Sequence, residues 1–175
     1  MNKNDLSILT VGRFDDYRKD IKKLVKVVLL FCKKNVHQNV VLNIVSPKFI
    51  FPTKNLSHIK NLDIKYHTNI NEKKLENLYK DNDIYLSSSI EEGFGFVIID
   101  AIKYNCLVVA TNTAGIRDIL GFDYPLLANH FRWYSLLDKL CYAIDLLPKK
   151  NKINQKILNL LDAKKMLVSL NDSYS

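Results

Sequence analysis

Three short stretches of the 175-residue chain carry charges and glycines at spacings that suit an anionic ligand rich in hydroxyls. In Gly12-Arg13-Phe14-Asp15-Asp16-Tyr17-Arg18-Lys19-Asp20, Gly12 lets the chain turn tightly, and Arg13 and Lys19 can close on a diphosphate from two sides, a planar fork opposite a point charge. In Glu91-Glu92-Gly93-Phe94-Gly95-Phe96, Gly93 and Gly95 allow close backbone approach to a ligand. A helix opening near Phe96 would turn unpaired amides and its positive dipole end toward a phosphate. The Glu92 carboxylate beside such an anion is odd unless it receives hydroxyl hydrogen bonds, and a sugar supplies them. Asp100 falls one turn into the same helix, where it can face the same crevice and accept from a ribose diol. Thr111 to Gly115 forms the third stretch.

The elements that must position these residues follow one rhythm. Leu6 to Val11 is a short apolar run, followed after a polar turn by Ile21, Leu24, Val25 and Val28 at helical spacing, with Lys22, Lys23 and Lys26 on the other face. Val40 to Val45 reads as a second strand ended by Ser46 and Pro47, with a loop-rich connection from there to Leu62. Leu62, Ile64 and Tyr66 alternate with polar residues as a third strand. Asn71 is a candidate N-cap for a helix burying Leu75, Leu78 and Tyr79. Ile84 to Leu86 and Leu107 to Ala110 are strands four and five, on either side of a helix from about Phe96 to Tyr104. After them come a short helix, Ile116 to Leu120, and a sixth strand at Tyr124 to Leu127. Helices near Ser135 to Leu147 and Asn151 to Val168 follow, the last with Ile153, Ile157, Leu160 and Leu161 on one side.

Strands alternating with helices predict an α/β fold, a Rossmann-like parallel sheet with helices on both faces. Ligands bind outside the carboxyl ends of strands in such sheets, where all three stretches fall.

The run from Ile84 through Ser87-Ser88-Ser89-Ile90-Glu91-Glu92-Gly93-Phe94-Gly95-Phe96 to Asp100-Ala101 resembles the Glu-x7-Glu region of family 4 (group 1) glycosyltransferases. Val11-Gly12-Arg13-Phe14 through Lys19 is similar to that family's Gly-Arg loop with its downstream lysine. Val108-Val109-Ala110-Thr111 through Gly115-Ile116-Arg117-Asp118 is similar to its following strand and Gly-Gly loop. The three segments occur in the family's order, and the resemblance covers about Ser7 to Leu147.

The resemblance implies a GT-B enzyme, two Rossmann-like domains facing a cleft, with this chain similar to the C-terminal, donor-binding one. By it, Arg13 and Lys19 bind the donor diphosphate, Glu92 meets the transferred sugar as the catalytic-site carboxylate, and Asp100 holds the ribose. Gly12, Gly93, Phe94, Gly95 and Phe96 complete the donor site. It further implies retention of anomeric configuration, no metal and no cofactor, with a UDP- or GDP-sugar as donor substrate. The acceptor, a glycan or lipid, belongs to an N-terminal domain expected to be missing, so the isolated chain is expected to be inactive. Residues 1–150 form the nucleotide-sugar-binding domain on this reading, and 151–175 a terminal helix and tail. Asp100 stands where the family commonly has glutamate, and Ala114 where the first glycine of the Gly-Gly pair is expected, which weighs against tight backbone contact by that loop. A non-catalytic nucleotide- or glycan-binding module is the alternative.

Composition fits this picture. Hydrophobic residues make up 47% of the chain, enough for the core of one domain, and no window reaches the length of a membrane span. The polar start lacks the apolar core of a secretory signal, so a cytoplasmic location is expected. Cys32, Cys106 and Cys141 lie in apolar runs without metal-binding spacing and read as core residues. The net charge of +8 gathers in Arg18 to Lys34 and Lys149 to Lys165, either as solvated helix faces or as a surface for peripheral contact with an anionic membrane, at its inner face. Nucleic acid is not expected, because no aromatic-interleaved basic motif occurs. GxGxxG after the first strand and GxxxxGK[ST] are both absent, which disfavours dinucleotide-dependent oxidoreductases and phosphate-loop NTPases. A receiver-like signalling domain is disfavoured because Asp83 precedes its strand. His67 is a candidate for the edge of a base pocket or an ordinary surface group, and Phe131, Trp133 and Tyr134 read as packing for the helix that follows them.

Overall fold

The computed structural model describes residues 5–48, 59–93, 95–129 and 131–173, with side chains through residue 163. Six parallel strands run β1 (Leu6–Val11), β2 (Val40–Val45), β3 (Leu62–His67), β4 (Ile84–Ser87), β5 (Leu107–Thr111) and β6 (Leu127–Ala128). They lie in the order β3-β2-β1-β4-β5-β6. This is the doubly wound order of a Rossmann-like sheet, and it reverses direction between β1 and β4, where a crevice opens at the carboxyl ends.

Helix α1 (Ile21–Lys34) returns the chain from β1 to β2, and α2 (Glu72–Asp81) carries it from β3 to β4. Next come α3 (Phe96–Lys103) between β4 and β5, α4 (Ala114–Leu120) between β5 and β6, then α5 (Trp133–Leu146) and α6 (Lys150–Ser173). Parallel crossovers of one hand put helices that step in opposite directions on opposite faces. Accordingly α5 packs beside α1, and α6 beside α3 and α4.

The core follows the apolar pattern. Ile21, Leu24, Val25 and Val28 of α1 are all buried, as are Ile8, Leu9, Leu42, Leu86 and Val108 of the sheet. Each large aliphatic side chain so buried contributes about 1.5–3 kcal/mol relative to exposure. The Asn71 side chain accepts from the Lys74 amide and caps α2, as the sequence indicates.

Four local expectations are corrected. The sixth strand is Leu127–Ala128, because Tyr124 instead sends its hydroxyl 2.7 Å to the Val108 carbonyl and so acts as a wedge before the strand. Trp133 and Tyr134 belong to the first turn of α5 and stay 49% and 46% exposed, with Phe131 at 84%, so they are not buried packing for the helix. Leu160 is largely exposed while Ile157 of the same helix is buried. Cys32 and Cys106 are buried and their thiols pushed up to about 11 and about 12 by desolvation, whereas Cys141 is half-buried. Among the described residues no helix is long and apolar enough to cross a membrane.

Candidate functional site

The crevice is built from the loop after β1 and the loop after β4, and the two are tied to each other through their main chains. The Ser88 hydroxyl reaches the carbonyls of Lys19 at 2.8 Å and Asp20 at 2.9 Å, and the Ile90 amide donates to the Arg18 carbonyl at 2.8 Å. Asp20 sits in the left-handed region at φ 41°, and its side chain accepts from the Lys23 amide to cap α1. That conformation is costly for a non-glycine residue and is held here by the cap and by the grip of Ser88.

Lys19 and Glu92 face each other across this junction. The Lys19 Nζ lies 2.8 Å from Glu92 Oε1 and 2.7 Å from Oε2, with side chains 21% and 11% exposed. The two groups singled out from sequence as phosphate and sugar contacts are therefore paired with one another. Arg13 is exposed at the rim and, among the described residues, its guanidinium pairs with no carboxylate. Arg18, by contrast, is committed to Asp16. Its Nη2 lies 2.7 Å from Asp16 Oδ2, and this partner holds the Asp16 carboxyl down at about 2.

The glycines divide into two kinds. Gly95 adopts φ 63° as the N-cap of α3, and a Cβ there would lie 2.7 Å from Ile119 Cδ1. Gly115 lies so close to the loop after β4 that a Cβ would fall 2.0 Å from the Gly93 oxygen and 2.6 Å from that of Glu92. Tight backbone contact by the third loop is thus present at Gly115, and Ala114 does not prevent it. Gly12 needs no left-handed backbone, and its amide continues the ladder to Val45 at 3.0 Å, so the turn begins after it. Gly93 has open space around its α-carbon.

Phe96 opens α3 and is exposed, while Phe94 lies outside the described residues. Asp100 is half-buried on α3. Burial and then the Asp100 charge push the Tyr79 phenol up, and burial, Tyr79 and Glu92 do the same for Tyr85. The rings of Tyr79 and Tyr85 stack at 6.1 Å, so Asp100 and Glu92 act on adjacent members of one tyrosine pair. Among the described residues no group of three or more His, Cys, Asp or Glu side chains gathers to hold a metal.

Beside the Gly12 turn lies a groove of about 310 Å³, lined by Val11, Val45, Ser46, Pro47, Asn69 and Ile70 among others. The groove is walled mainly by apolar atoms, and the Ser46 hydroxyl behind it is buried with no hydrogen-bond partner among the described residues. A second groove, about 280 Å³, lies between the Phe122–Tyr124 loop and α6, away from the paired charges.

Sequence reasoning missed Ser88, the Arg18–Asp16 pair and Ser46. The run of three serines was the available signal for the first. An acidic residue two positions before an arginine signals the second only weakly.

The chain is a Rossmann-like domain with an ammonium–carboxylate pair at the topological switch point of its sheet. Residues 1–158 match the family described as Glycosyl transferases group 1, and the chain belongs to that family. It is similar to the phosphatidylinositol N-acetylglucosaminyltransferase GPI3 subunit of Saccharomyces cerevisiae, 24% identical over 151 residues, 85% of this chain and 33% of that protein. It also resembles an uncharacterized 41.2 kDa protein in the cps region of Klebsiella pneumoniae, 27% identical over 121 residues, 69% of this chain and 32% of that one. The chain thus spans about a third of the length of these curated relatives. Among solved structures it superposes on an E. coli trehalose-6-phosphate protein bound with UDP-2-fluoro glucose, with a TM-score of 0.73 at 15% identity, covering 92% of this chain and 41% of the other. The glycosyltransferase WaaG, involved in lipopolysaccharide biosynthesis, gives a TM-score of 0.69 at 16% identity over 92% of this chain and 44% of its own. The fold is shared with both.

Proposed function

We propose that this chain is the donor-binding, C-terminal half of a retaining GT-B glycosyltransferase of family 4, and that its crevice holds a UDP- or GDP-sugar. The observation that carries this reading is the Lys19–Glu92 pair at the switch point between β1 and β4. Lys19 and Arg13 take the diphosphate, and the amino end of α3 adds its dipole. Glu92 accepts from hydroxyls of the transferred sugar and Asp100 from the ribose. The groove beside Val45, Pro47 and Ile70, with its mostly apolar walls, accommodates the base. Gly93 leaves room for the donor, and Gly95 with Phe96 sets the direction of α3 toward it.

On this reading transfer requires an acceptor, a glycan or lipid, held by a separate N-terminal domain, and the 175 residues by themselves do not catalyse transfer. Neutralisation of the leaving diphosphate falls to Lys19, Arg13 and the helix dipole, without a metal or other cofactor. The exposed aromatics at the start of α5 carry Lys26 with them, its Nζ 4.7 Å from the Trp133 ring centroid. Trp and Tyr with lysines suit a membrane interface, which supports a cytoplasmic protein in peripheral contact with anionic lipid at the inner face of a membrane.

The test is calorimetric titration with UDP, GDP and their sugar conjugates at low salt. Saturable binding of one nucleotide, tighter with its sugar attached, is expected. Absence of binding to every nucleotide would overturn the donor-site reading. Co-sedimentation with phosphatidylserine vesicles tests the lipid contact, which Trp133→Ala should weaken.

A further inference from the structure

We infer that Glu92 sets the preference of this site for a sugar-bearing donor over the bare nucleoside diphosphate, by competing with the diphosphate for Lys19. The inference rests on the donor-site reading given above. Both oxygens of Glu92 are engaged by the Lys19 ammonium, and among the described residues no other donor reaches that carboxylate. Arg18 cannot relieve it, because its guanidinium is committed to Asp16.

A diphosphate that recruits Lys19 draws the ammonium away from Glu92. It leaves a largely buried carboxylate without its partner and next to a new anion, which is the costly way to break such a pair. Hydroxyls of an attached sugar give Glu92 replacement donors, so the penalty is lifted for the donor and kept for the diphosphate that remains after transfer. The backbone cannot absorb the exchange. Ser88 fixes the carbonyls of Lys19 and Asp20, and Gly115 lies against the main chain of Glu92 and Gly93. Repartnering therefore falls to the two side chains, and the same competition favours release of product.

The experiment titrates the wild-type chain and Glu92→Gln with inorganic pyrophosphate, UDP and GDP, and with UDP-glucose, UDP-N-acetylglucosamine and GDP-mannose. Folding is checked by thermal melting. Pyrophosphate carries neither base nor sugar and reads the cationic clamp alone. Glu92→Gln should bind pyrophosphate and the preferred diphosphate roughly tenfold tighter, while the advantage of the nucleotide sugar over its diphosphate falls by a similar factor. Adding Lys19→Gln should abolish the gain, since the gain belongs to the freed ammonium. Glu92→Ala, which needs no polar replacement, should show the same tightening toward pyrophosphate if the glutamine variant fails to fold.

A folded variant that binds pyrophosphate no tighter than wild type overturns the competition, and so does a gain that survives the loss of Lys19. In either case the donor-site reading stands if the wild type binds nucleotide sugar. Failure of every protein to bind any of the six ligands overturns that reading and the competition together.

Discussion

The two ends of the sheet carry similar residues and use them differently. At the amino end, Asp83 Oδ2 accepts from the Ser7 hydroxyl at 2.7 Å and the Ser7 amide at 3.1 Å, and Oδ1 lies 3.5 Å from Lys150. Asn154 of α6 donates to the Cys106 carbonyl at 2.9 Å, fastening the last helix beneath β5. These bonds close joints between β1, β4 and α6, while the buried Asn154 Oδ1 has no partner among the described residues. At the carboxyl end, Glu92 has Lys19 as its partner, Arg13 pairs with no carboxylate among the described residues, and the buried hydroxyls of Ser46 and Thr113 are unpartnered. A lysine–carboxylate pair is thus part of a fastening at one end and, on the proposed reading, an exchangeable contact at the other. What separates them is whether the carboxylate also holds the backbone.

Substitutions can break this contrast. The largest effect is expected from Gly115→Ala, whose new methyl would meet two main-chain oxygens instead of a flexible side chain. Overpacking of this kind costs about 1–3 kcal/mol, and the displaced loop should lower diphosphate affinity more than tenfold. Urea denaturation paired with titration would show both, and an unchanged affinity would mean that the third loop does not support the site. Asp83→Ala should cost about 1–3 kcal/mol by stranding the Ser7 amide, whose acceptor is the Asp83 carboxylate, while leaving diphosphate affinity within about twofold. A large loss of affinity there would show that the two ends are coupled. Ser88→Ala removes one hydroxyl shared between two carbonyls, worth about 0.5–1.5 kcal/mol, and should weaken diphosphate binding several-fold because Lys19 loses its backbone anchor. Isothermal titration of that variant, with stability measured in parallel, distinguishes a loosened lysine from a globally weakened fold.

Most of the framework was legible because burial imposes a period on the sequence. The apolar runs at β1 and β2, the helical spacing of Ile21 to Val28 and the Asn71 cap each state a local preference that packing reinforces. Where two local solutions compete, the reading fails. Tyr124 has strand propensity, yet its hydroxyl finds the Val108 carbonyl and delays β6 to Leu127. Trp133 looks like core by composition, yet the helix begins at that residue and turns the indole outward under Lys26. Residue types at the crevice were readable, but not their pairing. Lys19 and Glu92 are 73 positions apart, and only the adjacency of β1 and β4 brings them together. Nothing local in Ser88 or Gly115 announces that one grips the first loop and the other lies against the second, because both contacts arise from the order of strands.

The smallest expected effect concerns the polar line that joins the two ends. His67, at the carboxyl end of β3, places Nε2 2.9 Å from Asn43 Oδ1, and Asn43 donates 3.0 Å to Asn82, which caps α2 at the amino end of β4. Asn43 offers an acceptor to the ring, so Nε2 carries the proton and the neutral imidazole already satisfies the bond. Burial, reinforced by Lys74 and Lys65, holds the His67 pKa below its ordinary value of 6.5. The folded state therefore resists a proton that the unfolded chain accepts. Stability is full above about 6.5, declines as pH falls through that value, and levels off below the depressed folded pKa. Thermal melts from pH 8 to pH 5 should show this decline in the wild type and a shallower one in His67→Gln, which keeps an amide donor for Asn43. Equal slopes in the two proteins would assign the acid sensitivity elsewhere and leave His67 a fastening like Asp83. A shallower slope would assign that part of the acid sensitivity to His67 and to the polar line it forms with Asn43 and Asn82.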